Sequence, residues 1–535
     1  MGTMKHGRRP WLVAGILLVV MAMFAAACGD DATTTTAAGS TTQATTARSL
    51  TIALAEEPRT LASWNAYSND GHPVLRNVTE ALLNRDPVTN ELVPELATSY
   101  EQVDPNTWRF HLRQGVTFHD GSAFNAEAAA YSLNYVLDVD NAFPMLQFFG
   151  GIVATATAVD ELTLDVATDI PDPILPLRLY FTTIPSAKQL QEDPARYEDT
   201  PIGTGPYKFD EWNRGQFIDI SANADWWGLR DTADAHGTNQ LVSDVHFVFR
   251  PETEVRAGML ATGEADFARF ITPEQCEAAP QCESTPTVET IIVRIDTPNP
   301  VLADVRVREA IALAIDKESI MNDILGGGEV ANQIVSSSAL GWNSSLEPYP
   351  YDPTRAAELI AEAAADGVDV TAPFTFAART GFILRADEII QFISVALNTA
   401  GMTGVTPQMM ETAQFEELWS DMGYANVSPD RAFIGMNQHG NEMMDYAGSV
   451  GNYFMCEGGA SAYCDPAFDE MAKTAFQQTG DARDQALQDL AAYTYDTYPI
   501  IPIGYPLFNF GLVDGINWTP RMDGFILIKE FTFSS

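Results

Sequence analysis

Residues 108–137 read WRFHLRQGVTFHDGSAFNAEAAAYSLNYVL, and the fold turns on how that stretch is parsed. Trp108, Phe110 and Leu112 alternate with Arg109 and His111, the period of a strand with one dry face and one wet face. Gln114 and Gly115 turn the chain into a second short strand at 116–118. That strand ends at His119-Asp120-Gly121, where glycine supplies the left-handed φ of a tight turn. Asn125 then offers a side-chain acceptor to the free amides of a helix, with Glu127 in the first turn where the helix dipole favours an acid. Ala129, Leu133, Val136 and Leu137 share one stripe of that helix. The expectation is hairpin, turn, helix.

LRQGVTFHDG followed by AEAAAYSL resembles the signature of the family-5 solute-binding proteins, extracytoplasmic receptors of ABC importers for dipeptides, oligopeptides, nickel chelates and some saccharides. Ala128 stands where that family usually has Asp. Three further stretches follow in the family's order: Pro201-Ile202-Gly203-Thr204-Gly205-Pro206-Tyr207, then Val307-Arg308-Glu309-Ala310 through Ala314-Ile315-Asp316, then Tyr351-Asp352-Pro353 running to Ile360. The resemblance implies an α/β chain with a two-lobed periplasmic-binding-protein-like fold (type II, cluster C) and an extra small domain inserted in the first lobe. Its expected divisions are a signal peptide over 1–27, a tether over 28–49, the first lobe over 50–86, 200–295 and 504–535, the inserted domain over 87–199, and the second lobe over 296–503.

Local grammar fills in the elements. A strand is expected at 50–54, a helix at 77–83, a strand at 245–249, a helix at 252–262 closed by Gly263, and a strand at 291–295. One helix is expected over 306–325, stopping at Gly326-Gly327-Gly328, and another after Asp352 as cap and Pro353 at the first helical position. Gly203-Thr204-Gly205 is not a phosphate loop, because no Lys-Ser/Thr ending and no helix signal follow it.

The chain carries 72 Asp and Glu against 30 Lys and Arg, a formal charge of -42. Removing the first 27 residues, which hold Lys5, Arg8 and Arg9 and no acid, takes it to -45. A field of that sign argues against nucleic acid and against direct adsorption on anionic lipid. Lys5, Arg8 and Arg9 precede an apolar run over 11–27 that ends Ala25-Ala26-Ala27-Cys28-Gly29. This is the pattern of an export signal, and cysteine directly after small residues resembles a bacterial lipoprotein signal with Cys28 as the acylated residue. A membrane-spanning anchor is the rival reading. The Thr, Ala and Ser-rich segment after it has no apolar periodicity and reads as a flexible tether with a reach of about 25 Å. The remaining cysteines form two close pairs, Cys276 with Cys282 and Cys456 with Cys464, expected as short-loop disulfides in an oxidising compartment, with four free thiols as the alternative.

The expected activity is ligand capture between two lobes and delivery to an ABC permease in the membrane, by a monomer with no cofactor, no metal and no chemistry of its own. No HExxH, GxSxG, Walker A or CxxC pattern occurs. His119-Asp120 reads as a satisfied turn and not as a hydrolytic dyad. The resemblance places the ligand at the loop after residue 55, with Trp64 and Asn65, and at the second-lobe segment over 435–464. The family's Asp-Pro acidic anchor for a ligand amine is missing there. Asp445 and Glu442 are its nearest counterparts, with His439 and Asn441 beside them. The ligand class expected first is a short peptide. A saccharide would use Trp64, Trp212 or Trp342 as stacking platforms, and a nickel chelate would draw on His439 and Glu442.

Overall fold

The Trp108 stretch does not fold as a local hairpin. In the computed structural model, which describes residues 48–65, 71–229, 242–420 and 423–534, the strand Thr107–Leu112 pairs antiparallel with Ala97–Asp104 on one side and Thr163–Thr168 on the other. Residues 116–118 contribute only a single bridge, Thr117 to Ala123. The dry face of Phe110 and Leu112 is covered instead by the helix Ala126–Leu137, whose Ala129, Leu133, Val136 and Leu137 are buried as the stripe requires. Asn125 caps that helix, its side chain accepting from the Ala128 N–H at 2.9 Å. With Ala154–Asp160 these strands make a four-stranded sheet of their own.

Two larger sheets carry the rest. The first has seven strands in the order Gln281–Pro286, Leu507–Leu512, Phe267–Arg269, Ser49–Leu54, Asp244–Phe249, Phe217–Ala222, Tyr207–Asn213. The second has six, in the order Glu329–Val330, Ile500–Tyr505, Glu289–Ile295, Phe433–Gly440, Phe374–Arg379, Val405–Met410. Within the first, Ser49–Leu54 runs parallel to both Asp244–Phe249 and Phe267–Arg269. Within the second, Phe374–Arg379 runs parallel to both of its neighbours. The chain crosses between the sheets at 286–289 and returns at 505–507. The expected boundary at 295/296 therefore falls at the end of a strand that already belongs to the second sheet, paired with Phe433–Gly440 and Ile500–Tyr505. A run such as TIIVRI, buried along its whole length, fits either buried sheet, so the pattern alone does not assign it.

Two helices differ from expectation. The first is His72–Val78, a turn earlier than the 77–83 stretch, and it gives way to the strand Leu83–Arg85. The long helix over 306–325 breaks at Ile315, which is extended, because Asp316 recaps the chain by accepting from Ser319 N–H at 3.0 Å. Asp352 caps the helix Pro353–Ala365 as expected, accepting from Arg355 N–H at 2.9 Å. Gly203 and Gly205 are required by close approach: a Cβ at Gly203 would lie 2.3 Å from the Val78 carbonyl oxygen, and one at Gly205 2.6 Å from that of Asn77. Both cysteine pairs are disulfide-bonded, Cys276 to Cys282 and Cys456 to Cys464. Cys28 and most of the tether lie outside the described residues.

Candidate functional site

In open α/β sheets, ligands bind beyond the carboxyl ends of parallel strands, where loops diverge and backbone donors are exposed. Both large sheets have such an edge, and the chain leaves them in unusual conformations. After Phe267–Arg269, Phe270 adopts a left-handed backbone at φ 53°, and after Phe433–Gly440, Met444 does the same at φ 53°. Bulky residues rarely hold this region unless the surroundings over-determine it. Buried Arg256 does so for the first: its guanidinium collects the carbonyls of Arg269, Phe270, Arg250 and Pro251, tying together the ends of two parallel strands. The Met444 turn is held by its own N–H donating to the Asn441 carbonyl at 2.8 Å and by Leu340 N–H donating to the Met444 carbonyl at 2.9 Å.

Arg85, on the hairpin after the first helix, reaches the segment that follows Phe433–Gly440. Nη1 donates to the Asn90 carbonyl at 2.7 Å and lies 3.0 Å from the Met444 sulfur, while Nη2 donates to the Glu442 carbonyl at 3.2 Å. On the second-lobe side of this seam stands Asn441, 5% exposed, its Nδ2 without a hydrogen-bond partner among the described residues. Gly440 leaves room for the Glu442 carboxylate, since a Cβ there would sit 2.3 Å from Glu442 Oε1.

A second group lies on the adjoining strands. Arg379 ends Phe374–Arg379, donates from Nη1 to Glu416 Oε1 at 2.7 Å and lies 3.5 Å from the Phe382 ring centre. Burial pulls its pKa down, against Glu416 and against Glu56 on the loop after Ser49–Leu54. Its Nε has no partner among the described residues, nor has Oδ1 of Asn437 on the neighbouring strand. Register puts these two side by side: Ala378 pairs with Met436, so the next pair along is Arg379 and Asn437. An empty buried donor beside an empty buried acceptor fits a group that is both, such as an amide.

Several expected site residues are engaged elsewhere. Asp445 is fully buried and held by Arg483, which donates from Nε to Oδ2 at 2.8 Å and from Nη2 to Oδ1 at 2.9 Å; Asp445 also caps the helix Tyr446–Tyr453. Its charge is spent inside the second lobe, so it is not an open anchor for an amine. Trp64 is 1% exposed and packed among Tyr135, Phe143 and Tyr197, and Asn65 donates to Glu198 Oε1 at 2.6 Å, so neither faces the seam as a platform. His439 shares a 2.7 Å hydrogen bond with Ser449 Oγ, and burial pushes its pKa down to about 3, leaving a neutral ring. No group of three metal-ligating side chains occurs among the described residues. Trp212 donates to Glu57 and is covered by Arg214 at 3.4 Å, and Trp342 donates to Asn332 Oδ1. His119 shares its Nε2 with the Gly205 carbonyl while Asp120 accepts from Ser122 and Ser186, so both are engaged in the turn, with His119 Nδ1 left without a partner among the described residues.

Against known proteins, residues 91–449 match the profile of the bacterial extracellular solute-binding proteins, family 5 Middle. The chain belongs to this family. Among curated relatives, the glutathione-binding protein GsiB of Pectobacterium atrosepticum is 27% identical over 332 residues, covering 59% of this chain and 61% of that protein, less than two thirds of its length. Among solved structures, the fold is similar to that of the periplasmic binding protein DppA of Helicobacter pylori in complex with the peptide STSA: TM-score 0.76, 20% identity, 91% of this chain and 98% of that one. It is equally similar to the oligopeptide-binding protein AppA of Bacillus subtilis in complex with a nonapeptide: TM-score 0.76, 18% identity, 91% and 99%. These likenesses place the chain in the two-lobed family-5 fold, and within it Arg85 ties the hairpin after the first helix to the segment that follows Phe433–Gly440 of the second sheet.

Proposed function

We propose that this protein is the extracytoplasmic receptor of an ABC importer, capturing a short peptide between its lobes and handing it to a permease in the membrane. The observation that carries this reading is the row of buried, unfilled polar atoms along the carboxyl ends of the strands: Asn437 Oδ1, Arg379 Nε and Asn441 Nδ2. Peptide amides offer donors and acceptors in alternation, and these atoms ask for both. Relatives that hold a tetrapeptide and a nonapeptide lend the class. With Asp445 paired to Arg483, Asn441 is an unfilled polar group of the expected second-lobe segment. A saccharide loses support because the indoles of Trp64, Trp212 and Trp342 are all packed or bonded.

No bond is made or broken in this role; a ligand touching both lobes favours the shut form by its differential affinity for it. Cys28 holds the mature chain to the outer face of the membrane as a single copy on its tether. Thermal unfolding in the presence of di-, tri- and longer peptides, glutathione and a sugar set tests the reading. A peptide at 100 times its Kd stabilises by about 2.7 kcal/mol if it binds only the folded state. Stabilisation by sugars alone, or turnover of any peptide, overturns it. Metabolic labelling with palmitate, lost in Cys28→Ala, tests the anchor.

A further inference from the structure

Arg85 is a buried cation in search of a counter-ion. It is 3% exposed, and it forms no ion pair among the described residues. Its partners are two carbonyl oxygens and a thioether, the Tyr180 ring centre lies 5.0 Å away, and Nε has no partner. Several other buried arginines are treated differently. Arg483, Arg178 and Arg521 each have a carboxylate within 3 Å, and Arg308 is caged by three carbonyls of its own lobe. The buried acids grouped with Tyr180, Arg76 and Arg521 are already committed. Asp523 is held by Arg521 and Tyr180, Glu530 by Arg521, and Glu95 by Arg76 and Lys529.

The surroundings are short of acceptors, not of donors. Arg76 stands over the same Tyr180 ring at 5.7 Å with Nε and Nη1 unpartnered, and Asn441, whose neighbour Glu442 receives the Arg85 hydrogen bond, has Nδ2 unpartnered. A buried cation without a partner is costly, whereas one that meets an anion through charge-assisted hydrogen bonds is stabilised. The chain's strongly acidic field would repel an anion, so a local patch of donors is what such a group needs.

We infer that the solute carries an anionic group, a carboxylate, which docks on Arg85 beside Arg76 and Asn441 and supplies the missing charge as the lobes shut. This rests on the receptor reading above and inverts the polarity expected of its anchor: the open charge at the seam is positive.

The test uses the full chain, as wild type, Arg85→Met and Arg85→Lys, with two probe pairs: trialanine against its C-terminal amide, and succinate against succinamide. Binding is followed by calorimetric titration and by the shift in Tm, with circular dichroism to check the fold. In the wild type the acid of a pair binds at least tenfold tighter than the amide. Arg85→Met brings that ratio below threefold, and Arg85→Lys keeps a preference. Equal binding of acid and amide by the wild type overturns the inference, with no appeal to a variant that fails to fold. So does a ratio unchanged in folded Arg85→Met. If neither trialanine form binds, the peptide reading fails by itself and the succinate pair decides: stabilisation by the diacid alone, lost in Arg85→Met, upholds the anion subsite, and stabilisation by neither member removes it.

Discussion

Replacing Asp445 by alanine separates a structural acid from a ligand anchor. The carboxylate is fully buried, and the Arg483 side chain that grips it through two hydrogen bonds is 3% exposed. Removing one partner of such a pair strands the other charge in the interior, at about 3–5 kcal/mol. The loss of the Ala447 N–H acceptor at the start of Tyr446–Tyr453 adds about 1 kcal/mol. At about 2–4 °C per kcal/mol for a folding unit of 150–250 residues, the second-lobe transition should fall by about 8–24 °C in scanning calorimetry. The double variant Asp445→Ala/Arg483→Met removes the stranded charge and should recover most of that loss, with peptide affinity within threefold of wild type. A single variant that melts within about 2 °C of wild type yet binds peptide tenfold more weakly would refute this, and would return Asp445 to the ligand.

Three further outcomes follow from the packing. Glu80 lies buried, accepting from Trp226, Trp227 and Thr204; burial first, then the adjacent Glu95, pushes its pKa up from 4.5 to about 7. A raised folded-state pKa means that its contribution is complete below pH 4.5 and lost as pH rises to about 7, so the Tm difference between wild type and Glu80→Gln should shift in favour of the variant across that window. Gly203→Ala drives a methyl into the Val78 carbonyl and should cost about 3 kcal/mol or more in urea unfolding, against about 1 kcal/mol for Gly215→Ala, where φ is 75° but nothing lies within 4 Å. Cys456→Ser with Cys464→Ser opens a short loop and should lower stability by about 2–3 kcal/mol, read as a lower denaturant midpoint in non-reducing buffer.

What the sequence made legible was local chemistry with a fixed spacing. Asn125 and Asp352 announce their helices because a cap acts over three residues, and the glycines of the 201–207 stretch announce a close approach. Partnership across the chain was hidden. Thr107–Leu112 has the alternation of a strand, but its partners lie at 97–104 and 163–168, and no periodicity says so. Asp445 and Arg483 are 38 residues apart, so an acid in the expected region looked available when it was spent. Arg85 gave no signal beyond being a basic residue in Leu83-Asn84-Arg85, an apolar approach that buries it. Its meaning lies in what fails to face it, which only coordinates reveal.

The position of Arg85 also bears on how closure would be coupled to loading. Its acceptors come from both sides of the seam: Asn90 from its own hairpin, Glu442 and Met444 from the second lobe. Opening the lobes returns the guanidinium to water. Closing strips that water away and replaces it with two neutral carbonyls and a sulfur, which do not repay the several kcal/mol that desolvating an ion costs. The left-handed Met444 is pinned by Asn441 and Leu340, so its turn does not relax toward the cation. An anion delivered into this seam interacts far more strongly in the shut form than in the open one, since the dielectric around it falls as the lobes meet. That difference is the only quantity by which a solute shifts the equilibrium. A neutral solute of the same shape fills the same space, leaves the charge unanswered and shuts the receptor less.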